Sequence, residues 1–200
     1  MKIIGIGLNK TGTTTLGVCM EQIGKRHLSF NAQAFDHILN DDLEALWEIT
    51  DAYESFEDWP WPLVYKKMDD RYPHSKFILT TRKSPEVWFQ SLCKHSERSE
   101  NKNSPFRKKI YGFDMPHENK DHHLSFYEQH TAKARSYFKD RPNDFLEVCW
   151  ERGDNWLQLA NFLNMPVPES PFPHAGKAVG TTGQLLRKIK SHVAQGIGRK

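Results

Sequence analysis

The chain has 200 residues, a mass of 23.3 kDa and a formal net charge of +3, the size of one domain with a continuous core. So mild a basic excess suits a small anionic ligand and does not supply the clustered basic face of a long nucleic-acid footprint. Cys19, Cys93 and Cys149 are odd in number and form no C-x-x-C pair, which argues against a disulfide framework or zinc ribbon and makes a reducing, cytoplasmic setting the expectation.

The opening MKIIGIGLNK is broken by Gly and Lys too early for a signal-peptide core, and no run reaches a membrane-spanning length. Residues 2 to 7 are a β-branched run that predicts a strand. Leu16, Cys19, Met20 and Ile23 then recur at helical spacing up to Gly24, so the chain begins as strand, loop and helix. A helix is predicted over 41 to 49, a strand over 51 to 56, and a helix opening on Pro60 with Trp61, Val64, Tyr65, Met68 and Tyr72 on one stripe. KFILTT at 76 to 81 reads as a buried strand, followed by a helix from Pro85 with Trp88, Ser91 and Leu92 on one face. This alternation predicts a three-layer α/β domain with a central parallel sheet covered on both sides.

Residues 94 to 120 show no sustained apolar period and are expected to be one irregular insertion, either a lid or a solvated loop. Helical periodicity returns from 121 to 138 through Leu124, Tyr127, Thr131, Ala134 and Phe138. A strand over 145 to 150 and a helix carrying Trp156, Leu159, Ala160 and Leu163 follow. Beyond a proline-rich stretch, the basic segment 181 to 200 has Leu185, Leu186, Ile189 and Val193 at spacings that fit a docked amphipathic helix. With no internal repeat, residues 1 to 200 are expected to form a single domain.

Chemistry concentrates where GIGLNKTGTTTL joins the first strand to the first helix, because backbone N–H groups and the helix dipole converge there on an anion. A Walker A loop fails, since Thr13 stands where G-x-x-x-x-G-K-[ST] needs lysine. A dinucleotide fingerprint also fails, since Lys10 occupies the third glycine position. What remains is Lys10 inside the loop, Gly12 for close backbone approach, and Thr11, Thr13, Thr14 and Thr15 as hydroxyl and N–H donors. In this arrangement the chain resembles the sulfotransferases that use 3'-phosphoadenosine 5'-phosphosulfate (PAPS). The resemblance implies that Lys10 contacts the bridging oxygen and stabilises the departing phosphate. A capped helix beside a surface lysine is the plainer alternative.

The stretch FEDWPWPLVYKKMDDRYPHSKFILTTRKSPEVWFQSL is similar to that family's second signature, with Arg82 and Ser91 in the positions that grip the 3'-phosphate. The family gap is eight positions and here it is nine, which brings Lys83 or Ser84 into consideration for the same phosphate. Transfer needs a general base, and Asp58 in DWPW is the expected one, with partial burial raising its pKa. Asp51, His27 and His130 are alternatives for the base, and a helix cap is the alternative role for Asp58.

YEQH at 127 to 130 and ERGDNWLQLANFLNMPVPESPFPH at 151 to 174 resemble the later part of a bacterial-type branch of the family, so the resemblance spans most of residues 1 to 175. It implies a P-loop nucleotide kinase-like sulfotransferase fold, and it puts His174 and Lys177 near the 3'-phosphate. The 94 to 120 insertion and the helix after it are expected to cover the acceptor, with Tyr127 and His130 facing inward. His117, His122, His123 and His130 lack metal-ligand spacing. The implied activity moves a sulfuryl group from PAPS to a hydroxyl or amine of a small-molecule or glycan acceptor and leaves 3'-phosphoadenosine 5'-phosphate (PAP). An ATP-dependent phosphotransferase of the same fold and a non-catalytic nucleotide-binding module are the competing readings.

Overall fold

The computed structural model describes residues 1–98 and 104–175. Five strands, β1 (Ile3–Gly5), β2 (His27–Leu28), β3 (Ser55–Phe56), β4 (Lys76–Thr80) and β5 (Phe145–Val148), form one sheet in the order β2-β3-β1-β4-β5. Every pairing is parallel, with Ile4 opposite both Phe56 and Phe77, and Ile78 opposite Leu146. A wholly parallel sheet needs cover on both faces, and the helices supply it: α1 (Thr13–Gln22), α2 (Ala32–Leu39), α3 (Leu43–Asp51), α4 (Trp61–Arg71), α5 (Pro85–Ser96), α6 (Pro105–Tyr111), α7 (Lys120–Tyr137) and α8 (Trp156–Leu163).

Period-two alternation along the strands divides the core into two layers. Ile3, Ile78 and Val148 point toward α1 and α8, meeting Leu16, Cys19, Met20, Trp156 and Leu159. Ile4, Phe56, Phe77 and Leu79 point the other way, onto Leu46, Trp61, Val64, Met68, Ala134 and Phe138 of the helices opposite and the end of α7. A third cluster of Leu8, Phe35, Trp59, Trp88, Leu92, Tyr111 and Tyr127 lies beyond the carboxyl ends of the strands. It joins the connections that follow β1 and β3 to α2, α5, α6 and α7. The expected three-layer α/β architecture with a central parallel sheet is present.

Local chemistry explains the helix boundaries. The Ser84 hydroxyl accepts the Val87 N–H and Pro85 opens α5, while Asn155 and Gln158 form a capping box on α8. The chain departs from expectation in four places. Asp51 ends α3 and does not begin a strand, because Asp42 caps that helix and it runs on to Asp51. The insertion holds α6, opened by Pro105 and stopped by Gly112 at φ 83°. Trp150 leaves the sheet in a 3-10 turn, residues Trp150–Arg152. The two-residue β2 and the eight-residue α2 are too short for a periodic signal. Among the described residues no helix is long and apolar enough to cross a membrane. Lys177 and the expected helix over 181 to 200 lie outside the described residues.

Candidate active site

Parallel strands gather the turns after β1, β3, β4 and β5 at one edge of the sheet. The turn after β1 is fixed by bonds to its carbonyls from outside. Trp88 Nε1 donates to Asn9 O at 2.9 Å, Arg82 Nη1 to Lys10 O at 3.0 Å and Trp150 Nε1 to Gly12 O at 3.1 Å. His130 Nε2 donates to Ile6 O at 2.6 Å, and Tyr111 hydroxyl donates to Asn9 Oδ1 at 2.6 Å. Thr11 donates to Leu8 O and shares a second 2.6 Å contact with the Thr80 hydroxyl. With the carbonyls bonded away, Lys10 and Gly12 take left-handed backbones, φ 69° and 95°, a pattern that turns successive N–H groups toward one concavity. Gly12 is required twice over, since a Cβ there would also sit 2.4 Å from Trp150 Cδ1.

Among the described residues no partner accepts from the N–H groups of Gly12, Thr13 or Thr14, and α1 has neither a side-chain cap nor an acidic residue in its first turn. An open, uncapped helix start of this kind favours an anion. Lys10 belongs to the same turn, and its ammonium has no hydrogen bond or ion pair among the described residues. Burial lowers its pKa first, then the nearby Arg98 guanidinium, with Arg82 adding to the effect and Asp58 opposing it. Thr13 and Thr15 are buried and Thr14 is half-buried, while the Thr11 hydroxyl is used inside the turn. Arg98, just past the end of α5, belongs to this basic group and was not singled out in the sequence, because it lies among many charges without a period.

Arg82 is near the turn, but its fork is engaged. Nη2 donates to Glu151 Oε1 at 2.6 Å, Lys83 N–H donates to Glu151 Oε2 at 3.1 Å, and Nη1 braces Lys10 O. Ser84 is the α5 cap. Ser91 is half-buried and shares no hydrogen bond with Arg82. The structure therefore brings Arg82 to Lys10, and Ser91 has no hydrogen bond to either.

Asp58 follows β3 at φ 67° and accepts the Trp59 N–H at 2.8 Å. Pro60, not Asp58, occupies the cap position of α4. Burial pushes the Asp58 carboxyl up to about 7, the neighbouring Glu57 carboxylate adds to the rise, and the Trp59 N–H and Lys10 oppose it. Asp58 lines a cavity of about 400 Å³ with Asn9, Phe30, Trp59, Phe106 and Tyr111. Its walls are aromatic: Phe106 meets Phe30 edge-on at 5.0 Å between ring centres, and Trp59 meets Tyr111 at 5.9 Å. Burial, then the proximity of Asp58, raises the Tyr111 phenol well above its ordinary range and keeps it neutral.

The other expected bases lie elsewhere. Asp51 is at the opposite edge of the sheet, where it accepts the Tyr72 hydroxyl at 2.6 Å and faces Arg71 at 3.5 Å. His27 is buried 3.6 Å from Glu57, and His130 braces the Ile6 carbonyl. Tyr127 stacks on Trp88 at 5.0 Å and accepts the Arg82 N–H. Neither Tyr127 nor His130 lines the cavity. Of the two elements expected to cover the site, the insertion lines the cavity through α6, whereas α7 packs its polar rings against the turn after β1. His174 is exposed near Phe172.

The chain matches the family model described as "Sulfotransferase domain" over residues 2–180. It is also 28% identical, over 87% of its length and 80% of the relative's, to the "Ava biosynthesis cluster protein M" of Aspergillus versicolor. A parallel five-stranded sheet, an uncapped first helix with a lysine in the turn before it, and a match across nearly the whole chain agree: the protein belongs to the sulfotransferase domain family.

Proposed function

We propose that this protein is a PAPS-dependent sulfotransferase acting on a hydroxyl, or an amine, of a compact acceptor. The observation that carries the reading is the meeting of an ammonium without a partner among the described residues and an open helix start with a carboxyl that lines a largely aromatic cavity. PAPS, when bound, supplies a sulfuryl group carried on a phosphate leaving group. The N–H groups of Gly12, Thr13 and Thr14, with the Thr14 hydroxyl, suit its 5' end, and Thr11, Thr13 and Thr15 shape the turn that presents them. Lys10 neutralises charge on the departing phosphate oxygen. Asp58 accepts the acceptor's proton, and a carboxyl near 7 is matched to that task at neutral pH.

The rings of Phe30, Trp59, Phe106 and Tyr111 favour a flat acceptor, and His95, Ser104 and Arg107 on the same lining suit polar groups on it. The unpaired cysteines support a cytoplasmic setting. One observation favours a second reading: Arg82 is bonded to Glu151. An ATP-dependent phosphotransferase or a non-catalytic nucleotide-binding module has no need of an open arginine there. For the preferred reading, the 3'-phosphate must exchange with the Glu151 carboxylate on Arg82, with Ser91 joining only in the loaded state.

Transfer of label from radiolabelled PAPS to a panel of phenols, alkanols and amines tests the reading. Lys10→Ala should reduce turnover by about 100- to 1,000-fold with an unchanged circular dichroism spectrum. Equal turnover of wild type and variant would remove the assigned role.

A further inference from the structure

Behind Asp58 lies a buried polar group that the reaction as described does not use. Glu57, next in sequence to Asp58, has a side chain only 4% exposed, and His27 beside it is 5% exposed with Nε2 3.6 Å from Glu57 Oε1. They come from neighbouring strands: His27 begins β2, and Glu57 directly follows β3. Ser29 donates to Glu57 Oε1 in a short hydrogen bond, and His27 Nδ1 is 2.9 Å from the Ser55 hydroxyl.

Room for this pair comes from a glycine inside a helix. At Gly17 in α1 a Cβ would stand 2.8 Å from His27 Nε2 and 3.1 Å from Glu57 Oε1. Glycine in a helix interior is unfavourable, so the sequence gives up helix stability to seat a carboxylate. The seat is also incomplete, since Glu57 Oε2 and His27 Nε2 are buried without a hydrogen-bond partner among the described residues. Structural carboxylates in a core are normally paired in full. A charge kept under-solvated one residue from the expected base acts on that base through space.

We propose that Glu57 is a positioning residue: its carboxylate, seated beside His27 in the space that Gly17 leaves in α1, is a fixed buried charge that strengthens Asp58 as a proton acceptor. The inference rests on the assignment of Asp58 as the base. The groups that face Asp58 from its other sides are Lys10 and the Trp59 N–H, which favour its ionised form, and Tyr111, which burial keeps neutral. His95 from α5 and Arg107 from α6 line the same cavity. Among the described residues, Glu57 is the one charged group acting on Asp58 whose sign holds the proton on it. Without Glu57, Asp58 ionises more readily and is a weaker base.

The test is a carbon-13 NMR titration of the Asp58 carboxyl, assigned by its loss in Asp58→Asn and read in Glu57→Gln, which keeps shape and removes charge. The midpoint should fall by about one pH unit, and the acid limb of kcat/KM should move down with it while the plateau drops a few-fold. An unmoved midpoint in a folded Glu57→Gln protein overturns the proposal. Should that variant not fold, Ser29→Ala gives the same readout: it removes the hydrogen bond that seats the Glu57 carboxylate, so the midpoint shifts by less than in Glu57→Gln, and an unmoved one overturns the idea. The titration needs no transfer activity. Failure of PAP to bind wild type in calorimetry would sink the transferase reading and leave the coupling of Glu57 to Asp58 to be judged by NMR alone.

Discussion

The turn at residues 8 to 12 and the wall formed by α6 both border the cavity that holds Asp58, and they are fixed by different means. The turn is held by directional bonds: two indole N–H groups, an arginine and a threonine hydroxyl reach its carbonyls from α5, the Trp150 turn, the segment after β4 and the turn itself, and a histidine of α7 holds the Ile6 carbonyl just before it. The α6 wall is held by ring contacts, Phe106 against Phe30 and Phe35 and Tyr111 against Trp59 and Phe126. Hydrogen bonds fix positions to tenths of an ångström, which charge stabilisation at a leaving group requires. Aromatic packing excludes water and accepts varied shapes. The contrast suits a constant donor on one side and a selected acceptor on the other.

The largest effect that can break this comparison is at the junction of the two sides. Asp58→Asn should lower kcat by about 100- to 10,000-fold, and the wild-type rate should fall as pH drops through about 7, where the raised Asp58 carboxyl takes up its proton. The sign for stability is opposite. The fold favours the neutral acid, so its contribution is present below about pH 4, the unfolded value, and is lost as pH rises through about 7. Thermal melts should therefore put Asp58→Asn above wild type at pH 8 and not at pH 4.

Next in size, Phe106→Ala opens the α6 wall. It should raise the acceptor KM by about ten-fold and leave PAP affinity unchanged. A variant that weakened PAP equally would show that α6 serves both halves of the site. Smallest is Trp150→Phe, which keeps a ring over Gly12 and removes the N–H bond to its carbonyl. Calorimetry should find PAP about five-fold weaker, the loss of one hydrogen bond, with the acceptor KM unmoved.

The same division decides what could be read from the sequence. The turn after β1 is legible because its chemistry is local: Lys10, Gly12 and the threonines sit between a strand and a helix whose periods are plain. Asp58 was legible from its place after a strand and before Pro60. The braces were not, because Trp150, His130, Tyr111 and Trp88 converge on the turn from positions up to 138 residues away, and a side chain that bonds a carbonyl looks like any core residue in a linear pattern. Glu57 was passed over because a charged residue beside a turn is ordinarily exposed, and only the fold puts Gly17 and His27 around it. Arg82 is legible as a cation just after a strand, whereas its bond to Glu151 links residues 69 positions apart. The acceptor wall was read as irregular, since α6 is a seven-residue helix and two turns carry too little periodicity to announce themselves.

The account depends most on the turn after β1 being a seat for an adenylate that also bears a 3'-phosphate. Calorimetric titration of the wild-type protein with PAP and with ATP measures this directly. PAP should bind with a clear saturating isotherm and at least about 100-fold tighter than ATP, since a charge-assisted grip on one phosphate accounts for roughly 3 kcal/mol. Equal affinity for the two nucleotides would contradict the account.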